Sequence, residues 1–471
     1  MRVLITNNTL AYRAGSELYV RDLALALLRR GHTPIAYSTN LGELARELIA
    51  ATVPVVDDLD AIGEAPDIIH GHHHLDTMTA LLHFDQTPAI FFCHGWIPWE
   101  EAPPPRTPRI LRYLAVDDTC RDRLIFLHAI PEGEVEVLLN FVDLARFKPR
   151  RPLPDKPVKA AIFSNSFNEA EDAKIIREAC ARLGITLDLI GIAAGTASPT
   201  PETRLGGYDL IFAKGRAALE AAAVGNAVIV CDAAGLGSMV TASRLAEHRR
   251  FNFGIRQLNE RIAVENVTRE VLRYSAPDAA EVSARIRAEA GLDPAIDRLI
   301  SIYGEVIVEA GSRPGHDHGA ETRAASRYLR GLAPILKGRY DSEFRANQLA
   351  RKVDDVLAAN HRMTGERHEA EVRRASHVEQ IEVLTRHAAD RDEIESRCLQ
   401  ESAKLTELES LSRQCAETRD AHRRQLDQIA SSRAWRWIWR YGRLRERWVH
   451  RPLDWFKRAW LRRVNGAGSS Q

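Results

Sequence analysis

The sequence predicts an α/β protein, with two successive parallel-sheet domains followed by a helical stalk and a short basic tail. Three observations carry this. Through about the first 310 residues, short apolar runs alternate with amphipathic helical patterns, the signature of parallel sheets covered by helices on both faces. Arg150-Arg-Pro-Leu-Pro-Asp-Lys-Pro157 interrupts the alternation as a charged, proline-rich break between domains. Proline then vanishes between Pro334 and Pro452, and glycine nearly so, which permits long helix. At 471 residues the chain is too long for one core, and about 150 residues per domain suggests three units.

The elements follow in order. Met1-Arg-Val-Leu-Ile-Thr opens a buried strand, and Ala14-Gly15-Ser16-Glu17 leads into a helix carrying Val20, Leu23, Leu27 and Leu28, closed by Gly31-His32. Asp67-Ile-Ile-His70-Gly-His72 and Pro88-Ala-Ile-Phe-Phe-Cys-His94-Gly95 read as two more strand ends. Beyond the break, strands are expected at 158–164, 187–190, 208–213 and 227–231. Helical segments near 278–309 are expected to pack back on the domain pair. Sheets of this kind bind ligands outside the carboxyl ends of their strands, where His70, His94 and Lys214 fall.

The richest stretch runs from Phe212 to Cys231. An apolar strand meets Lys214-Gly215-Arg216, and a helix opens there with Glu220 a turn and a half in. A helix N-terminus gathers unpaired N–H groups and positive dipole, so it seats a phosphate. Gly215 admits close backbone approach, Lys214 and Arg216 add charge, and Glu220 can accept from ribose hydroxyls. Together these parts describe a nucleotide-sugar site.

That stretch resembles the donor-binding segment of retaining GT-B glycosyltransferases of the family 4 type, ending here as Glu220-Ala-Ala-Ala-Val-Gly225-Asn-Ala-Val-Ile-Val. The first strand with its glycine loop and Gly-His turn, the strand ends at His72 and His94, and Val137-Leu-Leu-Asn140-Phe-Val-Asp143-Leu-Ala-Arg-Phe147-Lys-Pro149 are similar to the family's other landmarks, in the same order. The resemblance implies two Rossmann-like domains facing a cleft, an acceptor-side domain over 1–150 and a nucleotide-sugar domain over 151–311. It implies metal-independent transfer with no cofactor, from a nucleotide-diphosphate sugar to a glycan or lipid-linked acceptor in cell-surface polysaccharide synthesis. Lys214, Gly215 and Arg216 would hold the diphosphate, Gly15 would close over it, Glu220 would bind the ribose and His94 would touch the donor sugar. Two departures stand out. Phe212 occupies the position of the family's first glutamate, and Phe163-Ser-Asn165-Ser166 with Lys174 replaces its Gly-Arg and lysine. A degenerate GT-B module that binds nucleotide sugar, or serves as a membrane-tethered scaffold, is the alternative.

Asn140 and Asp143 read as turn and linker residues. The run His70-Gly-His72-His73-His74 suggests a metal site, but neighbouring residues on a strand alternate faces and no carboxylate or cysteine sits at ligand spacing. The six cysteines are scattered, which indicates neither zinc nor a disulfide framework. No leader-like segment opens the sequence and no apolar run is long enough to span a bilayer, so a cytoplasmic location is expected.

Residues 312–432 are expected to form the stalk, with Gly311 to Gly319 as a linker. A heptad through Leu405, Leu408, Cys415, Leu426 and Ile429 is interrupted by Ser412, Arg419 and His422, an imperfect coiled coil that could pair copies of the chain. The tail, 433–471, holds Trp435, Trp437, Trp439, Trp448, Trp455 and Trp460. Between Arg433 and Arg463, eleven Lys and Arg stand against Glu446 and Asp454, a net +9 in a chain whose total is +1. Tryptophan interleaved with arginine suits a helix lying on an anionic membrane, here the inner face, better than nucleic acid.

Overall fold

The structure, a computed structural model, describes residues 1–167, 171–313, 317–386 and 391–431. The first domain runs β1 (Arg2–Thr6), α1 (Gly15–Arg29), β2 (Thr33–Tyr37), α2 (Glu43–Ala50), β3 (Val55–Val56), β4 (Ile68–His72), α3 (His74–His83), β5 (Ala89–Cys93), β6 (Ile110–Ala115), α4 (Asp118–Asp122) and β7 (Val135–Val137). Its seven strands pair in the order β3-β2-β1-β4-β5-β6-β7, every neighbour parallel. β4 and β5 are buried along their whole length, as central strands covered on both faces must be.

The second domain runs β8 (Lys159–Phe163), α5 (Glu171–Arg182), β9 (Thr186–Ile190), α6 (Pro201–Leu205), β10 (Leu210–Ala213), α7 (Gly215–Val224), β11 (Ala227–Asp232), β12 (Gly235–Met239), α8 (Leu245–Arg250), α9 (Val264–Val271), α10 (Ala276–Glu289) and α11 (Leu292–Ser312). The order is β12-β11-β10-β8-β9, with β12 antiparallel to β11. That edge strand, Gly235-Leu-Gly-Ser-Met239, has too little β-branched character to be read from sequence. α7 ends where Gly225 takes φ +103°, the left-handed stop that glycine permits.

α11 packs back on the first domain. Ile296, Leu299, Ile302, Tyr303 and Val306 of this helix belong to the core of the first domain, together with Leu23, Leu27, Phe91 and Tyr113. The chain therefore passes between the two sheets twice, and the passages touch. Val142 donates its N–H to Ala290 O at 2.8 Å, and Leu292 donates to Val142 O at 3.0 Å. The opening turns of α12 (His318–Arg386) also pack on the first domain, where Glu321 pairs with buried Arg109 at 3.1 Å.

Residues 1–332 form one compact unit, and the chain from Ala333 onward forms a second. Within the second unit, α12 and α13 (Arg391–Ser431) run antiparallel: Arg374 pairs with Glu409 at 3.2 Å, and His377 lies against Glu401. Leu405, Leu408 and Cys415 are half-buried at helical spacing from Glu401. The apolar seam expected to join two copies thus lies on the helix face that carries a residue bonded to α12 of the same chain. The tryptophan-rich tail lies outside the described residues, as do Leu426 and Ile429 in their side chains. No described helix is long and apolar enough to cross a membrane.

The packing of α11 makes a stability prediction. Ile302→Ala should cost about 2–5 kcal/mol in urea unfolding, as large-to-small core changes do. Val308→Ala on the exposed face of the same helix should stay within about 0.5 kcal/mol. Equal effects would contradict the placement of α11 in the first core.

Candidate functional site

The strand order reverses between β1 and β4 in one sheet and between β8 and β10 in the other, and parallel sheets receive ligands in such crevices. In the second sheet, β8 delivers Ser164 and Ser166, β10 delivers Lys214 and β11 delivers Asp232. Ser164 Oγ donates to Asp232 Oδ1 at 3.2 Å, Ser166 Oγ donates to the same oxygen, and Lys214 Nζ pairs with Oδ2. Burial alone would raise the Asp232 pKa, but Lys214 outweighs it and holds the carboxyl below its usual range. Lys214 is the N-cap of α7 and remains 42% exposed. Its ammonium, two hydroxyls and a helix N-terminus converge at one strand edge.

The rest of the α7 start is already engaged. Gly215 takes φ +60°, which explains the glycine, and its N–H donates to Phe253 O at 3.1 Å. The expectation of a free amide there does not hold. Arg216 does not stand open either: Nε donates to Glu220 Oε1 at 2.7 Å and the guanidinium reaches Asp22 on α1 of the first domain. Asp22 is also bonded by Arg21 at 2.6 Å and by Arg146 at 3.4 Å, and Arg146 continues to Glu202 at 3.1 Å. Glu220 is 5% exposed, and burial raises its pKa against the pull of Arg216. A buried guanidinium must be paired, and Asp22 and Glu220 are its carboxylates. Glu220 was expected to stand ready for hydroxyls and instead forms half of this pair. Phe212, in the family's glutamate position, is wholly buried in β10.

On the first sheet, Gly15 opens α1 with nothing within 4 Å of where a Cβ would stand. His70 and His72 share one face of β4 with rings stacked 4.5 Å apart, and His94, just beyond β5, stacks on His72 at 4.7 Å and on Phe92 at 4.4 Å. His94 Nε2 lies 2.7 Å from His72 Nδ1, and the His94 backbone N–H donates to Glu101 Oε2 at 2.9 Å. Burial pushes the His94 pKa down to about 4, against the attraction of Glu101. His73 takes φ +61°, strained for a side chain of this size, and its Nδ1 accepts the Asn8 N–H at 3.1 Å while Nε2 faces Glu101 at 3.5 Å. Burial would raise Glu101, yet His73 brings it down to about 2. Beside it, burial lifts Glu17 to about 7, and it lifts Asp76 to about 7 as well. Among the described residues, no group of three His, Cys, Asp or Glu is placed to hold a metal ion.

Residues 13–146 match the model of Glycosyltransferase Family 4. Solved structures similar to this chain include a glycosyltransferase from Rickettsia africae ESF-5, 16% identical with TM-score 0.44, covering 65% of this chain and 98% of that one. Another is Anabaena Alr3699/HepE in complex with UDP and glucose, 14% identical with TM-score 0.47, covering 65% of this chain and 100% of that one. No curated protein matches the sequence.

In the first domain the sequence points to Gly15 and His94, offers His72 only as a strand end and in the histidine run, and gives no sign of Tyr19 or Asp22. Tyr19 sets its ring edge-on to His94 at 4.6 Å. Asp22 and Tyr19 lie mid-helix with no local signature, so only the tertiary contact reveals them. Ser164 and Ser166 were visible as a departure from the family pattern; their bond to Asp232 was not. Asp143 holds the turn expected of it, accepting from Ala145 N at 3.0 Å.

The raised carboxyls generate a pH prediction. Glu17 and Asp76 rise to about 7 from ordinary values of 4.5 and 3.8, so between those limits the folded chain holds protons that the unfolded chain has released. Their contribution is fully present below the unfolded values and is lost as pH rises toward 7. The stability of the wild type minus that of Glu17→Gln, from urea unfolding at each pH, should fall by roughly 1–3 kcal/mol between about pH 5 and 8, a difference from which the buried histidines, which act in the opposite direction, cancel. A difference that stays constant with pH would remove Glu17 as the cause.

Proposed function

We propose that this chain transfers a sugar from a nucleoside-diphosphate donor to a glycan or lipid-linked acceptor. The observation that carries the reading is the convergence of Lys214, Ser164 and Ser166 with the N-terminus of α7 at the switch point of the second sheet. As the bond from the sugar to the diphosphate breaks, charge builds on the leaving oxygen. The Lys214 ammonium and the two hydroxyls, once they turn from Asp232 to the donor, would stabilise that charge together with the helix dipole. The acceptor oxygen forms the new bond and gives up its proton to the departing diphosphate oxygen. Glu220 would bind the ribose and Arg216 the diphosphate once the pair between them exchanges partners, and Gly15 would close from the first domain. His94 would meet the donor sugar. The charge needed is supplied by these groups, so the reading assigns no metal.

The Family 4 match and the landmark order support this reading, and the donor-bound state of Anabaena HepE is a property of that protein. A role in cell-surface polysaccharide synthesis at the inner membrane face rests on the composition of the tail: tryptophan and arginine suit an anionic headgroup layer. One observation favours the scaffold alternative, namely that Arg216 and Glu220 satisfy each other and Asp22 while Phe212 replaces a carboxylate with a core side chain.

Calorimetric titration separates the two. The protein should bind nucleoside diphosphates well above the matching nucleosides, because the phosphates meet Lys214. Lys214→Ala should weaken the diphosphate by about ten- to a hundredfold, the worth of a hydrogen bond to a charged group, and leave the nucleoside nearly unchanged. Equal binding of nucleoside and diphosphate by the wild type would refute the site. Diphosphate binding without turnover on any sugar donor would favour the scaffold.

A further inference from the structure

His72 is wholly buried and yet carries two ring nitrogens that must be accounted for. Nδ1 lies 2.7 Å from His94 Nε2, and Nε2 has no partner. One proton is shared across that bond, and which ring owns it fixes both tautomers. If His94 donated, the His72 proton would sit on Nε2, leaving a buried N–H with no acceptor. If His72 donates, its own Nε2 is a bare lone pair and every N–H has a partner or faces open space. Orphaned N–H groups are the rarer and costlier kind.

We infer that His72 fixes His94 as a hydrogen-bond donor, by giving its Nδ1–H to His94 Nε2 and so leaving the His94 proton on Nδ1. The surroundings hold the arrangement in place. Phe92 stacks on both rings, His70 stacks behind His72 at 4.5 Å and is itself bonded to Tyr303 of α11, and Tyr19 meets both imidazoles edge-on. Neither ring can turn without breaking that stack. Glu101 fixes the backbone of His94 from the other side. His94 stands half-buried just past β5, near enough to feel the charge of Arg216 across the cleft. Its low pKa keeps the ring neutral at physiological pH, so the group offered is a neutral N–H.

The chemical consequence rests on the glycosyl-transfer reading above. A His94 whose accessible nitrogen carries the proton cannot take one from the acceptor hydroxyl. It donates instead, to a donor-sugar hydroxyl or to an oxygen on which charge develops. His72 touches no substrate in this account and is a positioning residue.

The test has two readouts on the full chain. Long-range proton–nitrogen NMR of histidine-labelled protein, assigned with His94→Gln and His72→Asn, reports which ring nitrogen bears hydrogen. His72 and His94 should both be protonated at Nδ1 near neutral pH, and a His94 protonated at Nε2 would overturn the inference. In turnover, His72→Leu should lower kcat about tenfold with donor KM little changed, because an interaction of the transition state is lost. His72→Asn, whose amide N–H stands where Nδ1–H stood, should restore most of it. Equal loss in both variants would overturn the donor role, since a purely structural defect would not distinguish them. If Leu at this position prevents folding, the wild-type spectrum still decides. If no sugar transfer occurs at all, the proposed function falls while the spectrum independently reads the tautomer.

Discussion

The guanidinium of Arg216 is the contact on which the arrangement of the two sheets depends. It sits buried between Asp22 of one domain and Glu220 of the other, and neither carboxylate could be left there alone. Asp22 in turn gathers Arg21 and Arg146, so the cation that opens α7 is tied to α1 and to the chain leading out of the first domain. The strand ends of the two sheets meet because these charges have to meet. Any anion entering the crevice competes with carboxylates already in place, and its binding is an exchange of partners.

Behind that contact the two domains handle polarity differently. The second sheet brings one carboxylate, Asp232, against an ammonium and two hydroxyls, a compact set held below the usual carboxylate range. The first sheet stacks three imidazoles into its core and sets Glu17, Asp76 and Glu101 around a strained His73. Burial there raises both carboxyls, and the neighbour decides the outcome: His73 brings Glu101 below its usual range, while the same imidazole does not offset burial at Glu17. Two chemistries share one cleft because the sheets supply different strand-end residues.

Much of this was legible in the sequence, for physical reasons. Parallel strands buried on both faces must be apolar runs, so β1, β4, β5, β10 and β11 could be read directly, and Lys214 and His94 fell at their ends by counting. β12 could not be read, because a glycine-rich edge strand has no pattern of its own. The destination of α11 was hidden too: an amphipathic helix announces that it has an apolar face and leaves open which core takes it. The same limit applied to Arg216 and Glu220. Their spacing on a helix was plain, but a partner such as Asp22, some two hundred residues away, leaves no local trace. Of the heptad in α13, Leu405, Leu408 and Cys415 are half-buried, and the register with α12 is visible only in the ion pairs of Arg374 and His377.

The double passage of the chain between the sheets has a mechanical consequence. Because Val142 and Ala290 to Leu292 are bonded to each other where the two strands of chain cross, they act as paired pins of a single pivot. A lone flexible connection would let one domain slide, twist and swing against the other. Two bonded crossings suppress sliding and leave rotation about their common line. For the same angle, a residue close to the pivot moves through a short arc and a residue farther from it through a longer one. The lever length from Val142 thus grades how far each residue travels when the crevice opens.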